Sequence, residues 1–317
     1  MAPLVARRFH VKFGVHLPHI GPFHDGASMI TFARAVEDQG YDSVWGSDHV
    51  VFPTTFDSKY PYSETGDFPL PGQVPWVEEV TSLAFVAGAT SRIRLGTSIL
   101  VLPYRNPVMN AKTLAAVDVL SGGRLICGVG AGWMREEAEA MGMPFDDRGA
   151  RTDEHIEVLK AMWTMDEASY SGKHYSVPPV RSEPRPVQKP HPPIWVGGHE
   201  PAALRRAARY GDGWHAYRLT VDEVREKSAY VKKKAGGYGR DPAAIALSVR
   251  APLVIADKSL SIDRAFAGTP DDLKRQVSAY ADAGVDYIVF EPPLMEGIDR
   301  AVAACERFAS EVVPEFA

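Results

Sequence analysis

The stretch GYDSVWGSDH, residues 40–49, sets a helix end, a strand and a polar rim side by side. Gly40 suits the left-handed turn that closes a helix, and Ser43–Asp48 then reads as a short β-type run. The junction returns near the other end of the chain, where Gly284-Val285-Asp286-Tyr287-Ile288-Val289 again places a helix-ending glycine ahead of a strand. A repeated helix-to-strand junction suits an α/β barrel.

Outward from these two junctions, β-type runs alternate with helix-period segments over almost the whole length. The runs are VKFGVHL (11–17), SVWGSD (43–48), IRLGTSIL (93–100), RLICGVG (124–130), PIWVG (193–197), GWHAY (213–217), ALSVRAPLVIA (246–256) and DYIVFE (286–291). Amphipathic faces lie between them: Met29, Ile30, Ala33, Val36; Val77, Val80, Ala84, Ala87; Ile156, Leu159, Met162, Trp163; Leu273, Val277, Tyr280, Ala281; and Ile298, Ala301, Val302, Cys305, Phe308. Asn106 before Pro107, Thr220 with Glu223, and Thr269 before Pro270 with Asp272 place side-chain acceptors where orphan N–H groups begin. Eight strand–helix units favour closure, so the expected fold is α/β, a TIM (β/α)8 barrel in one domain over residues 1–317, with a doubly wound open sheet as the alternative. Two insertions interrupt the repeat. Residues 50–75, with Pro53, Pro61, Pro69, Pro71, Pro75, Tyr60, Tyr62 and Phe68, have the length of a lid or subunit contact. Residues 168–192 read as a hairpin at SYSGKHYSV followed by a Pro-rich link.

Composition narrows the partners. Thirty-five Lys and Arg against 40 Asp and Glu give a net charge of −5 with no long block of one sign, which argues against nucleic acid and against an anionic membrane surface. No apolar stretch reaches the ~18 residues of a membrane-spanning helix. Residues 1–10 read as a tail, since Lys12 interrupts the short apolar run and no small-residue cleavage site follows. Cys127 and Cys305 lack metal-ligand spacing, so no zinc site and no disulfide framework is indicated, and a reducing cytoplasm is expected.

A barrel carries its chemistry at the carboxyl ends of its strands. That rim collects His16 and His19, Ser47-Asp48-His49, Thr97-Ser98 with Tyr104-Arg105 beyond, Gly130 and Gly132 with Trp133, Gly197-Gly198-His199, His215, Tyr217 and Glu291, with His24 just past the first strand. Asp48-His49 is the sharpest pair, because adjacent carboxylate and imidazole can serve as hydrogen-bond anchor and proton donor near neutral pH, or can simply cap a loop. Gly197-Gly198-His199 before Pro201 either exposes N–H groups to a phosphate at a helix N-terminus or only permits a tight turn. GVGAGW (128–133) lacks the third glycine of a dinucleotide fingerprint. The rim histidines come from different strands, so no metal is expected.

The blocks GYDSVWGSDHVVFP (40–53), TSRIRLGTSILVLPYRNP (90–107), LAAVDVLSGGRLICGVGAGW (114–133), PPIWVGGHEPAALRRAARYGDGW (192–214) and GTPDDLKRQVSAYADAGVDYIVF (268–290) together resemble the luciferase-like monooxygenase superfamily. The resemblance is to its branch of deazaflavin (coenzyme F-420) dependent oxidoreductases in particular. It implies a luciferase-like TIM barrel with a flavin-type ring across its rim, Asp48 holding the ring and His49 facing the reacting carbon. Gly197, Gly198 and His199 would meet the phosphate, and Thr97, Ser98, Ile99, Gly130 and Gly132 complete the implied cofactor-binding set. A non-prolyl cis peptide is implied at Ser98-Ile99. Trp133 stands where sugar-phosphate dehydrogenases of the branch carry a glutamate, and is either a stacking surface or a partly buried core aromatic. His16, Trp133 and Tyr217 are the candidate substrate pocket.

The expected activity is hydride transfer between coenzyme F-420 and a small organic substrate, with His49 moving the proton. The alternatives are a reduced-FMN monooxygenase and a catalytically silent flavin-binding protein. The resemblance also implies a homodimer through the helices near 76–89 and 106–120.

Overall fold

Asp42 and its relatives tie each helix end to the next strand. Phe13 N–H donates to Asp42 Oδ2 (2.9 Å), Ile194 N–H to Asp212 Oδ2 (2.9 Å) and Leu247 N–H to Asp286 Oδ2 (2.9 Å). Each aspartate precedes one strand and caps the neighbouring one. In the computed structural model, which describes residues 10–70 and 74–316, these strands close into a barrel.

The barrel strands are β1 (Lys12–His16), β2 (Ser43–Gly46), β3 (Arg94–Thr97), β4 (Leu125–Gly130), β5 (Ile194–Gly197), β6 (Gly213–Tyr217), β7 (Ala246–Ile255) and β8 (Tyr287–Glu291). All neighbours pair parallel, in order from β1 to β8, with β8 returning to β1 at Phe13↔Ile288. The eight-stranded parallel barrel is the one the sequence leads us to expect.

The nine helices described are α1 (Gly26–Asp38), α2 (Glu79–Ala87), α3 (Pro107–Ser121), α4 (Arg135–Ala140), α5 (Arg148–Thr164), α6 (Pro201–Tyr210), α7 (Val221–Gly237), α8 (Pro270–Asp282) and α9 (Ile298–Glu311). Their apolar stripes bury Phe32, Leu83, Leu114, Leu159, Ala207, Val231, Val277 and Phe308 against the outward face of the sheet. Three predicted caps form. Asn106 accepts from Val108 and Met109 N–H, while Thr220 with Glu223 and Thr269 with Asp272 make reciprocal capping boxes. Val77 precedes α2 rather than belonging to it, and α4 carries no apolar stripe to announce it.

Inside the barrel, Trp45, Ile126, Trp195, Tyr287 and Val289 form a separate core. Trp45 and Trp195 stack at 5.4 Å between centroids, and Tyr287 meets Trp195 edge-on at 5.2 Å. Glycines on neighbouring strands make room for these rings. A Cβ at Gly96 would overlap Trp45, and one at Gly213 would lie 2.6 Å from Trp195 Cδ1.

Two departures from expectation bear on the rim. The run 93–100 is not one strand: β3 stops at Thr97, the Ser98–Ile99 peptide is cis as the resemblance implies, and Leu100–Val101 pairs with β4 instead. The first insertion holds neither helix nor strand over residues 50–70, whereas the second makes the expected hairpin from Ala168–Ser171 and Ser176–Val180. The tail reading falls, apart from His10, on residues outside those described, as does Pro71.

Candidate functional site

At the carboxyl ends of the strands a cavity of about 920 Å³ opens above the aromatic core, and the first insertion, from Val50 onward, forms a strap that lines it with residues 59–62 and 68–70. Its floor is polar. His215 stacks on Trp45 at 5.0 Å and lies between Ser98 Oγ (2.8 Å) and Ser248 Oγ (2.9 Å). Ser47 Oγ meets His16 Nε2 (2.8 Å) and donates to the Ser98 carbonyl (2.9 Å). Arg250 is the hub: Nη1 donates to Ser47 Oγ (2.7 Å) and to the Ser98 carbonyl (2.7 Å), while Nη2 pairs with Glu291 Oε1 (2.6 Å). Burial pulls this guanidinium down, yet Glu291 and Tyr217 outweigh burial and hold it above its ordinary value.

The same burial sets the neighbouring histidines. His215 is lowered to about 3 by burial and by Arg250. His19 is lowered to about 4, chiefly by burial, and its Nε2 is held at the Ser47 backbone. His16 falls well below 6.5 for the same reasons, burial first and Arg250 second. These three are neutral at physiological pH and serve as fixed hydrogen-bonding groups. His24 bonds the Gly21 carbonyl and does not reach the cavity.

Asp48 and His49 diverge in their surroundings. Asp48 takes a bidentate pair from Arg105 (Nη1–Oδ2 2.6 Å, Nη2–Oδ1 2.9 Å) and the Val101 N–H (2.9 Å). Arg105 also donates to Glu78 Oε1 (2.9 Å). Both oxygens of Asp48 therefore hold the chain's own donors and brace the segment after the cis peptide. Behind it the buried Glu79 accepts from Ser98 N–H (2.9 Å), its carboxyl pushed well above the usual range by burial and by Asp48.

His49 turns the other way. Its Nδ1 lies 2.7 Å from Glu137 Oε2, the two side chains being 9% and 1% exposed, and its Nε2 has no partner among the described residues. Four rings surround the imidazole: Phe52 at 4.6 Å, Trp76 at 4.8 Å, Phe68 at 5.5 Å and Trp133 at 6.0 Å. Trp133 stacks on Phe68 (5.5 Å) and meets Tyr60 (5.2 Å), so it faces the strap. Tyr217 lines the opposite wall, with Tyr62 edge-on at 5.1 Å.

At the far end Gly198, with φ +95°, turns the chain from β5 into α6. Glu200 caps α6 without a side-chain bond, which leaves the first-turn N–H groups of Ala202 and Ala203 at the cavity wall without intrahelical acceptors. His199 Nδ1 and Arg218 Nε are buried there with no partner among the described residues, and burial followed by Lys227 lowers His199. Unspent donors at a helix start suit an anion.

The structure thus brings His16, Asp48, His49, Ser98, Ile99, Gly132, Trp133, Gly197, Gly198, His199 and Tyr217 to one cavity. Thr97 and Gly130 stay behind its wall. Thr97 Oγ1 donates to the Gly128 carbonyl (2.7 Å), and Gly130 packs against Ile99 so closely that a Cβ would overlap it. Sequence reasoning missed Glu137, which lies in a charge-rich helix without periodic signal. It also missed Arg250, although an arginine inside the apolar run ALSVRAPLVIA is itself a signal.

The Luciferase-like monooxygenase family matches residues 11–265 of the chain. An uncharacterised protein of Mycobacterium tuberculosis (strain ATCC 25618 / H37Rv) is 32% identical over 90% of this chain and 94% of its own. An F420-dependent glucose-6-phosphate dehydrogenase of Amycolatopsis mediterranei is 27% identical over 90% of this chain and 93% of its own. An FMNH(2)-dependent dimethylsulfone monooxygenase of Pseudomonas putida is 32% identical over 57% of this chain and 49% of its own. Relatives of this chain thus use either deazaflavin or reduced FMN.

Proposed function

From the premise that the chain belongs to the luciferase-like monooxygenase family, we propose that it is a coenzyme F-420-dependent oxidoreductase acting on a small organic substrate. The observation that carries this reading is His49, whose Nδ1 is engaged by a buried carboxylate while Nε2 is left without a partner inside a ring of aromatic side chains. Such an imidazole can hold or release one proton at Nε2 toward the cavity.

The residues fit a flavin-type group with a phosphate. The unpartnered donors at His199, Arg218 and the start of α6 would hold the anionic end at the turn that Gly198 makes with φ +95°. Ser98 and Ile99 would back the ring, and Asp48 would act through Arg105 and Val101 by fixing that backing rather than by direct contact. The coenzyme, when bound, supplies or accepts the hydride. His49 gives the matching proton to the substrate oxygen, or takes it, through Nε2 while Nδ1–H stays with Glu137. Gly132, Trp133, His16 and Tyr217 would shape the substrate space.

Absorbance titration tests the cofactor. Saturable binding of F-420 with redox turnover of its ring is expected. Tight binding of FMN with none of F-420 would instead make the protein a reduced-FMN monooxygenase, and stoichiometric F-420 binding without redox change across a broad panel of carbonyl and alcohol substrates would make it a silent carrier. We further propose a cytoplasmic homodimer. Its support is the two free, buried cysteines, together with the exposed Phe85 on α2 and Met109 and Leu120 on α3.

A further inference from the structure

The carboxylate of Glu137 is shared between two tasks. Oε1 accepts from Val50 N–H (2.7 Å) and Val51 N–H (3.3 Å), the first residues of the strap, while Oε2 accepts from His49 Nδ1 (2.7 Å) and the Tyr104 hydroxyl (3.2 Å). The adjacent residues of α4 grip the strap again further on. Glu136 Oε1 accepts from Asp57 N–H (2.8 Å) and Ser58 N–H (3.1 Å), and Arg135 N–H donates to Ser58 Oγ (3.0 Å). One short helix thus pins the strap at two places, and only the first shares its acceptor with the imidazole.

We infer that Glu137 is a positioning residue that couples seating of the strap to the orientation and tautomer of His49, an inference that rests on the reading of His49 as the proton-transfer group. With Oε2 as acceptor, Nδ1 carries the proton and Nε2 faces the substrate space. A carboxylate offers acceptors on both oxygens, and all four donors here need one. An amide offers a single oxygen, so Glu137→Gln must surrender either the strap amides or the imidazole. Lifting residues 50–51 removes two of the four donors that hold the carboxylate, so the imidazole keeps its set direction only while the strap is seated.

Nitrogen NMR on the full chain with labelled histidines tests this without cofactor or substrate, the His49 signals being assigned by their loss in His49→Ala. The expected result in the parent protein is a proton on His49 Nδ1, directed at Glu137. Glu137→Gln should give a mixed or Nε2-protonated ring together with faster amide exchange at Val50 and Val51, whereas Glu136→Gln should loosen residues 57–58 and leave the His49 tautomer as it was. In turnover assays Glu137→Gln should lower kcat by about 10²-fold or more with KM little changed, as for other orienting carboxylates behind a catalytic histidine. An unmodified protein with His49 protonated at Nε2 alone overturns the inference even if no variant folds. So does an unchanged tautomer in Glu137→Gln. A shifted tautomer with full turnover would leave the positioning intact and remove His49 from the proposed chemistry instead.

Discussion

Two neighbouring residues, Asp48 and His49, leave the end of β2 on opposite errands, and their variants should fail in different ways. Asp48 is spent on Arg105 and the Val101 N–H. Asp48→Asn would leave a mostly buried guanidinium with Glu78 as its remaining partner, and losing one partner of a buried pair costs about 3 kcal/mol or more. A lowered denaturation midpoint is the expected signature, and unchanged stability would show that Arg105 finds other partners. His49→Ala removes one donor from the buried Glu137 carboxylate, which keeps the Val50 and Val51 N–H groups and the Tyr104 hydroxyl. It should fold, keep cofactor affinity nearly intact and lose roughly 10²–10⁴-fold in turnover, the range for a missing general acid or base. Full turnover in His49→Ala on the true substrate would send the search to Glu291 and His199, because burial lowers His16, His19 and His215 further than it lowers His199. The adjacency of Asp48 and His49 was legible in the sequence. Their partners Arg105 and Glu137 were not, because those contacts join residues 57 and 88 positions away.

At the scale of elements, the readable parts are those whose signal is local. Eight apolar runs, three cap sequences and the glycines at 40 and 284, both with φ +86°, depend on spacing of a few residues, and all are found. The end of β3 escaped because an apolar run cannot show where its hydrogen bonds change partner. Thr97 gives its hydroxyl to Gly128, and Leu100 moves over to Val129. α4 escaped because its worth lies in polar grips rather than an apolar stripe. Those grips carry a pH dependence. Burial pushes Glu136 up, but hydrogen bonds from Ser58 and the Asp57 N–H outweigh it and lower the carboxyl from 4.5 to about 2. A depressed carboxyl stabilises its element fully above its ordinary value and loses that contribution as pH falls through the depressed one. The strap should therefore loosen at residues 57–58 between about pH 4.5 and 2. Limited proteolysis and Trp133 fluorescence would report it, and Glu136→Gln should already be loosened at neutral pH. Equal protection of the strap across that window in both proteins would show that other contacts hold it.

At the scale of the whole molecule, the neighbouring helices α2 and α3 expose three large apolar side chains. Met109 and Leu120, at the two ends of α3, are 62% and 77% exposed, and Phe85 on the neighbouring α2 is 46% exposed. Eleven positions amount to about three helical turns, so Met109 and Leu120 share one face of α3. Large apolar side chains exposed on neighbouring helices are what a second copy would cover, and a stable interface buries at least about 1,000 Å² in total. Light scattering at micromolar concentration should then give twice 34.7 kDa. Met109→Lys with Leu120→Lys should return the protein to monomer while leaving the helical signal nearly unchanged, since neither side chain packs in the core. The cavity opens at the carboxyl end of the barrel, whereas α2 and α3 lie along its side, so the monomeric variant should still titrate with cofactor. A monomer in the unmodified protein would sink the dimer, and loss of cofactor binding on dissociation would show that the partner supports the rim.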